Sequence, residues 1–253
     1  MVAIPKDAST IILMRDVNRS GAGLEFLMLR RHTKSSFLPG AYVFPGGTVE
    51  VADCVNQVEE ICHGLTFRQA RNIIDGASPL EKALGFFVAA IREAFEEAGV
   101  LLAYRQCPDL IAISEEQKAR FARYRRQVRE DPFSFLAIMQ REGLKLATDR
   151  LFYFAHWITP EIMPIRFDTR FFVAVAPPNQ EALYDALETT DSRWVTPQEV
   201  VEEHKKGQLN VAFPTLCNVR ALAEFSSVEE VIASTQGKEV PAIQPLKTMM
   251  KFG

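Results

Sequence analysis

The segment Arg92-Glu93-Ala94-Phe95-Glu96-Glu97-Ala98-Gly99-Val100 carries three carboxylates at spacings of three and four residues. On a helix advancing about 100° per residue, with Glu93 at 0°, Glu96 falls near ~300° and Glu97 near ~40°. The three therefore share one face. Leu84, Phe87, Val88, Ile91, Ala94, Phe95 and Ala98 fall on the opposite side, as an apolar stripe facing a core. Like charges this close repel by roughly a few tenths of a kcal/mol per pair, and no Lys or Arg stands four residues after Glu96 or Glu97 to relieve them. Hard divalent cations, which take oxygen ligands, would make sense of the cluster. A solvated acidic surface has the same spacing, and the helix alone favours that plainer reading.

The preceding loop changes the balance. Tyr42-Val43-Phe44-Pro45-Gly46-Gly47 reads as a short strand running into a loop that only glycines shape. Loop and helix together resemble the signature of the Nudix hydrolase family, G-x5-E-x7-R-E-U-x-E-E-x-G-U, where U is aliphatic. Arg92, Glu93, Glu96, Glu97, Gly99 and Val100 match its second half, with Ala94 in the aliphatic position. The first half departs from the pattern. Asp53 stands where the family has Glu, and 38 residues separate it from Arg92. A box split in this way resembles the coenzyme A diphosphatase subgroup, of the peroxisomal type and its bacterial relatives. The likeness extends to Phe37–Gly47, Arg166–Phe172, Arg193–Glu199 and Phe213–Leu216, most of the chain.

This resemblance implies an α/β Nudix fold, an α/β/α sandwich around a mixed β-sheet with extra helical insertions. It implies Glu93, Glu96 and Glu97 as catalytic carboxylates and ligands of Mg²⁺ or Mn²⁺, with a carbonyl of Gly46 or Gly47 as a further oxygen. Arg92 would orient Glu93, and Asp53 would be its partner if the insert loops out and returns. The implied reaction is metal-dependent hydrolysis of a diphosphate bond. CoA or acyl-CoA is the favoured substrate, giving 3′,5′-ADP and (acyl-)4′-phosphopantetheine. ADP-ribose, NADH, another nucleotide sugar, or nucleotide binding without turnover remain as alternatives. Arg30, Arg31 and Lys34, with Gly46 and Gly47, are candidates for holding the substrate's phosphates; a solvated strand end is the equal alternative for the basic stretch. The water-activating base is open between a cluster carboxylate and a later one such as Glu188.

The frame that must hold these residues follows from pattern and composition. Apolar residues make up 47% of 253 and charged residues 24%, enough for a packed core. The formal charge of −3 gives no electrostatic footprint for bulk nucleic acid. No apolar run approaches the ~20 residues of a membrane span. The four cysteines form no C-x-x-C, Pro5, Lys6 and Asp7 interrupt any signal-like start, and Lys251-Phe252-Gly253 is no Ser-Lys-Leu-type address; the expected location is cytoplasmic. Strands are expected at Thr10–Met14 and Leu24–Leu29, joined as a hairpin by the turn cluster 18–23, and again at Leu151–Ile158, Arg170–Val175 and up to Val195. Helices are expected at Thr66–Asp75, from a Ser78 N-cap to Gly99, at Ser114–Arg129, at Asp131–Gly143, and in three further segments after Thr196. The resemblance then implies a single domain over 1–253, with insertions at about 54–78, within the box, and about 108–146; homodimerisation stays open. Arg166, Asp168 and Arg170 read as an ion-pair network, Trp194 as core and His156 as a satisfied buried histidine.

Overall fold

Residues Ile11 to Met14 are apolar without a break, the pattern of a strand covered on both faces. In the computed structural model, which describes residues 2–17, 23–35, 38–183 and 189–245, they lie in β1 (Lys6–Asp16) at the centre of a mixed sheet. Ile11 and Leu13 face one apolar cluster, Ile12 and Met14 the other. β2 (Leu24–Arg31) runs antiparallel to β1, so the expected hairpin forms, although its turn at 18–22 lies outside the described residues. The same holds for Phe37, Glu188 and the C-terminal 246–253.

Two short strands follow, β3 (Tyr42–Val43) and β4 (Gly46–Thr48). Direct pairing of β1 with β2 is confined to Met14–Asp16 against Leu24–Phe26. Lower down, β3 pairs with β2 and β4 with β1, so the two short strands wedge between the long ones. Helices α1 (Val58–Ile61), α2 (Phe67–Ile73) and α3 (Leu80–Ala98) come next. A small antiparallel sheet of β5 (Ala103–Gln106), β6 (Asp109–Leu110) and, after α4 (Glu115–Glu130) and α5 (Phe133–Glu142), β7 (Lys145–Leu146) stands apart. The chain then returns to the main sheet with β8 (Phe152–Ile158), β9 (Phe167–Val175) and β10 (Thr189–Val195). Helices α6 (Pro197–Lys205), α7 (Phe213–Leu222) and α8 (Val228–Thr235), then β11 (Ala242–Ile243), complete it.

The main sheet has the order β10-β2-β1-β9-β8-β11, with β1–β9 and β8–β11 parallel and its other pairs antiparallel. Helices α1 to α5 cover the face of Ile11, Leu13, Leu27 and Leu29; α6 to α8 cover the face of Ile12, Met14, Phe26 and Met28. This is a three-layer α/β/α arrangement. Helices α1, α4 and α5 pack onto the α3 side, where Val58, Ile61, Phe121, Val128, Phe135 and Met139 join one cluster.

Helix α3 positions the chemistry. Its apolar face, from Ala83 to Ala98, is buried against the sheet, and Ser9 Oγ donates to the Phe86 carbonyl at 2.7 Å where strand and helix meet. It ends at Gly99, whose φ of 70° suits glycine, with its N–H on the Ala94 and Phe95 carbonyls. The start differs from the Ser78 cap expected: Pro79 is the N-cap residue, in extended conformation, with no side-chain cap.

Candidate active site

Arg92 is the hub. Its side chain is 2% exposed, and each of its nitrogens is engaged. Nε and Nη2 donate to Oδ1 and Oδ2 of Asp53, both at 2.8 Å. Nη2 also reaches the Thr48 carbonyl at 2.9 Å, and Nη1 reaches Glu93 Oε1 at 2.8 Å and Glu96 Oε1 at 2.7 Å. Asp53 lies 39 positions earlier in the chain and is 1% exposed. A one-turn 3-10 helix, Val51–Cys54, presents it, and the Glu50 N–H donates to its Oδ2 at 2.8 Å in a capping box. The planar fork of Arg matches a carboxylate in this bidentate way. The chain between Asp53 and Arg92 therefore loops out and returns to the same place through α3.

The glycines sit in strand β4, not in the loop expected. Gly46 pairs with Thr10 and Gly47 with Ser9. Neither has a positive φ; glycine is needed for close approach. A Cβ on Gly46 would come within 2.6 Å of the Ser9 carbonyl and 2.8 Å of Thr10 Cα. A Cβ on Gly47 would lie 2.4 Å from Glu93 Oε1. The Gly46 N–H in turn donates to Glu97 Oε2 at 3.0 Å. We expect the two alanine variants to fail differently. Gly46→Ala pushes backbone against backbone and should lower thermal stability, by ~1–3 kcal/mol if it behaves as overpacking. Gly47→Ala meets the end of a flexible carboxylate, so its Tm should hold while turnover falls. Equal Tm loss in both variants would contradict this assignment.

The carboxylate face is not solvated. Glu96 is 8% exposed and Glu97 4%, on the helix that packs against β4 and α4. Burial pushes the Glu93 carboxyl up to about 7 even with the Arg92 guanidinium beside it, and the charge of Glu96 adds to the rise. Among the described residues no three His, Cys, Asp or Glu side chains are already gathered at metal-ligand spacing. Glu93 and Glu96 instead share Arg92, and Glu97 holds Gly46. The donor chemistry nevertheless fits a hard divalent cation: buried carboxylate oxygens, one guanidinium divided among Asp53, Glu93 and Glu96, and main chain pressed against them.

The basic stretch divides. Leu27 and Leu29 side with the α3 cluster, Phe26 and Met28 with the other, so strand alternation puts Arg31 on the α3 face and Arg30 on the opposite one. Arg30 lies 5.9 Å over the ring of Tyr42, which packs on the second cluster. Arg31 Nη2 donates to Ser35 Oγ at 2.9 Å, and Lys34 is exposed. Because β3 and β4 wedge between β2 and β1, Arg31 and Gly47 share one end of the sheet. Arg30 is thus turned away from the carboxylates.

The other polar positions are structural. Arg166 donates to the carbonyls of Thr159 at 2.9 Å and Ala3 at 2.7 Å. Asp168 pairs with Arg170 at 2.6 Å and hydrogen-bonds His156. Burial opposes the Asp168 charge, but His156 and Arg170 outweigh it and hold the carboxyl below its usual range. Trp194 is half-buried, with the Arg15 guanidinium 4.1 Å over its ring. Arg125 and Arg129, to which no motif pointed, reach the Glu96 carbonyl from α4. Their four-residue spacing was visible; the carbonyl they meet was not.

A mixed sheet between helical layers, with a glycine strand held against a carboxylate helix by a buried Arg–Asp pair, defines the Nudix class. The chain belongs to that family: the model described as the NUDT19 Nudix domain matches residues 5–222. It is 30% identical over 242 residues to the acyl-coenzyme A diphosphatase NUDT19 of Gallus gallus, covering 82% of this chain and 63% of that protein. Against the Homo sapiens protein of that name the values are 27% over 249 residues, 88% and 66%. The chain thus spans just under two thirds of these relatives. The crystal structure of a NUDIX hydrolase from Alicyclobacillus acidocaldarius superposes with a TM-score of 0.77 at 22% identity, over 92% of this chain and 97% of that one, and shares its fold.

Proposed function

We propose that this protein hydrolyses the diphosphate bond of CoA or acyl-CoA, giving 3′,5′-ADP and (acyl-)4′-phosphopantetheine, with Mg²⁺ or Mn²⁺. The observation that carries the reading is the split box closed in space by the Asp53–Arg92 pair. The similarity of the chain to acyl-coenzyme A diphosphatases supports the substrate. In this reading Glu93, Glu96, Glu97 and the Gly46 carbonyl would hold the cation, which would supply neutralising charge for the phosphate oxygens. The chain's own residues set the geometry. Arg92 holds the Glu93 and Glu96 carboxylates, and Asp53 fixes Arg92. β4 keeps Gly46 close against Ser9 and Thr10, and Gly47 close against Glu93. Free thiols at Cys54, Cys62, Cys107 and Cys217 support a reducing compartment, the cytoplasm in our reading. No helix among the described residues is long and apolar enough to cross a membrane.

CoA differs from ADP-ribose in its 3′-phosphate and pantetheine arm. Arg31 and Lys34, at the glycine end of the sheet, are the groups we assign to that phosphate. A charge-assisted contact contributes roughly 1.5–3 kcal/mol, about a tenfold to hundredfold preference. CoA should therefore be cut more efficiently than 3′-dephospho-CoA, and Arg31→Ala should narrow the gap mainly by slowing CoA. Equal kcat/KM for the two substrates in the wild type would overturn the CoA assignment while leaving the diphosphatase class intact.

A further inference from the structure

The last turn of α3 holds Glu96 and Glu97 but contains no basic residue. Carboxylates there sit at the negative end of the helix dipole, where cations belong and anions are disfavoured. The missing charge comes from elsewhere. Arg125 donates to the Glu96 main-chain carbonyl from Nε at 3.3 Å and Nη2 at 2.9 Å, and Arg129 Nη2 reaches the same oxygen at 3.4 Å. A Cβ at Gly99 would lie 2.9 Å from Arg125 Nη1, so this glycine both turns the chain and leaves room for the guanidinium. Phe95 packs on Phe121 of α4, edge to face at 6.3 Å, and stacks with Phe135 of α5 at 6.2 Å, fixing the insert against the helix beside the carboxylates.

We propose that Arg125 and Arg129 are positioning residues: the helical insert at 108–146 supplies the basic cap of the carboxylate helix and thereby sets Glu96 and Glu97 for cation binding. The inference rests on the assignment of those glutamates as metal ligands. A carbonyl accepting from two guanidiniums draws the final turn toward α4 and steadies the backbone from which both carboxylates project. Neither arginine is required to touch substrate.

The test uses the full chain with Arg125→Ala, Arg129→Ala, the double variant and Arg125→Lys, and with Arg126→Ala as an exposed control on the same helix. Mn²⁺ affinity is read by electron paramagnetic resonance, and exchange of the α3 amides 94–99 by mass spectrometry. Partners that orient a metal's ligands typically contribute tenfold to hundredfold in affinity. The double variant should bind Mn²⁺ about tenfold more weakly, exchange faster at 94–99, and lose kcat more than it raises KM. Arg125→Lys should recover part of each, since Lys still donates to the carbonyl, and Arg126→Ala should match the wild type. Unchanged Mn²⁺ affinity in the double variant, or the same loss in Arg126→Ala, overturns the inference. If no CoA derivative is hydrolysed by the wild type but the Mn²⁺ shift is seen, the substrate reading falls and this inference stands.

Discussion

Glu97→Gln should abolish most turnover while leaving the fold nearly as stable as before. The amide keeps the length of the side chain, and its oxygen still accepts the Gly46 N–H that Oε2 holds at 3.0 Å. What it loses is the charge. Groups that merely orient metal ligands cost tenfold to hundredfold when removed, so loss of a ligand's own charge should cost about a hundredfold or more in kcat/KM. The check is steady-state kinetics at saturating Mg²⁺ alongside thermal unfolding with and without Mn²⁺. Ligand binding to the native state raises Tm by mass action, so the wild type should gain stability on Mn²⁺ addition and the variant much less. Near-wild-type turnover in Glu97→Gln would remove it from the metal site.

The second large effect is at Asp53. Asp53→Asn swaps one carboxylate oxygen for an NH₂, which cannot accept from a guanidinium already presenting two N–H groups there. Breaking one side of a buried pair typically costs ~3–5 kcal/mol. Glu93 and Glu96 continue to compensate Arg92 from the other side, so we expect the lower end, about 3 kcal/mol. The Glu50 N–H also loses its partner if the NH₂ turns that way, loosening the 3-10 turn that follows β4. Urea unfolding measures the loss directly. Stability within 1 kcal/mol of wild type, on the order of a surface pair, would mean the pair is far less important than its burial suggests.

What was legible in the chain was local or carried by a pattern. The shared face of Glu93, Glu96 and Glu97 follows from helical period alone, and the partner of Arg92 from counting the family spacing across the insert. The requirement for Gly46 and Gly47 was legible but its reason was not. A positive φ is a local matter, whereas these glycines answer to the Ser9 carbonyl and the Glu93 carboxylate, both distant in the chain. The split of Arg30 from Arg31 depends on which strand face receives α3, a choice made by packing. The strands β5, β6 and β7 are two to four residues long and helix α1 is four, too short to carry a period. Nor could spacing reveal that Arg125 and Arg129 meet the Glu96 carbonyl, because that contact exists only once α4 has docked.

Metal-dependent CoA cleavage is tested by incubating the wild type with CoA and with an acyl-CoA in ¹⁸O-labelled water with Mg²⁺ or Mn²⁺, and following both products by mass spectrometry. Metal-dependent CoA hydrolysis gives 3′,5′-ADP and the matching 4′-phosphopantetheine in equal amounts, one ¹⁸O incorporated per cleavage, and no reaction once EDTA has removed the cation. Intact CoA and acyl-CoA after prolonged incubation, or cleavage that persists in EDTA, would contradict it.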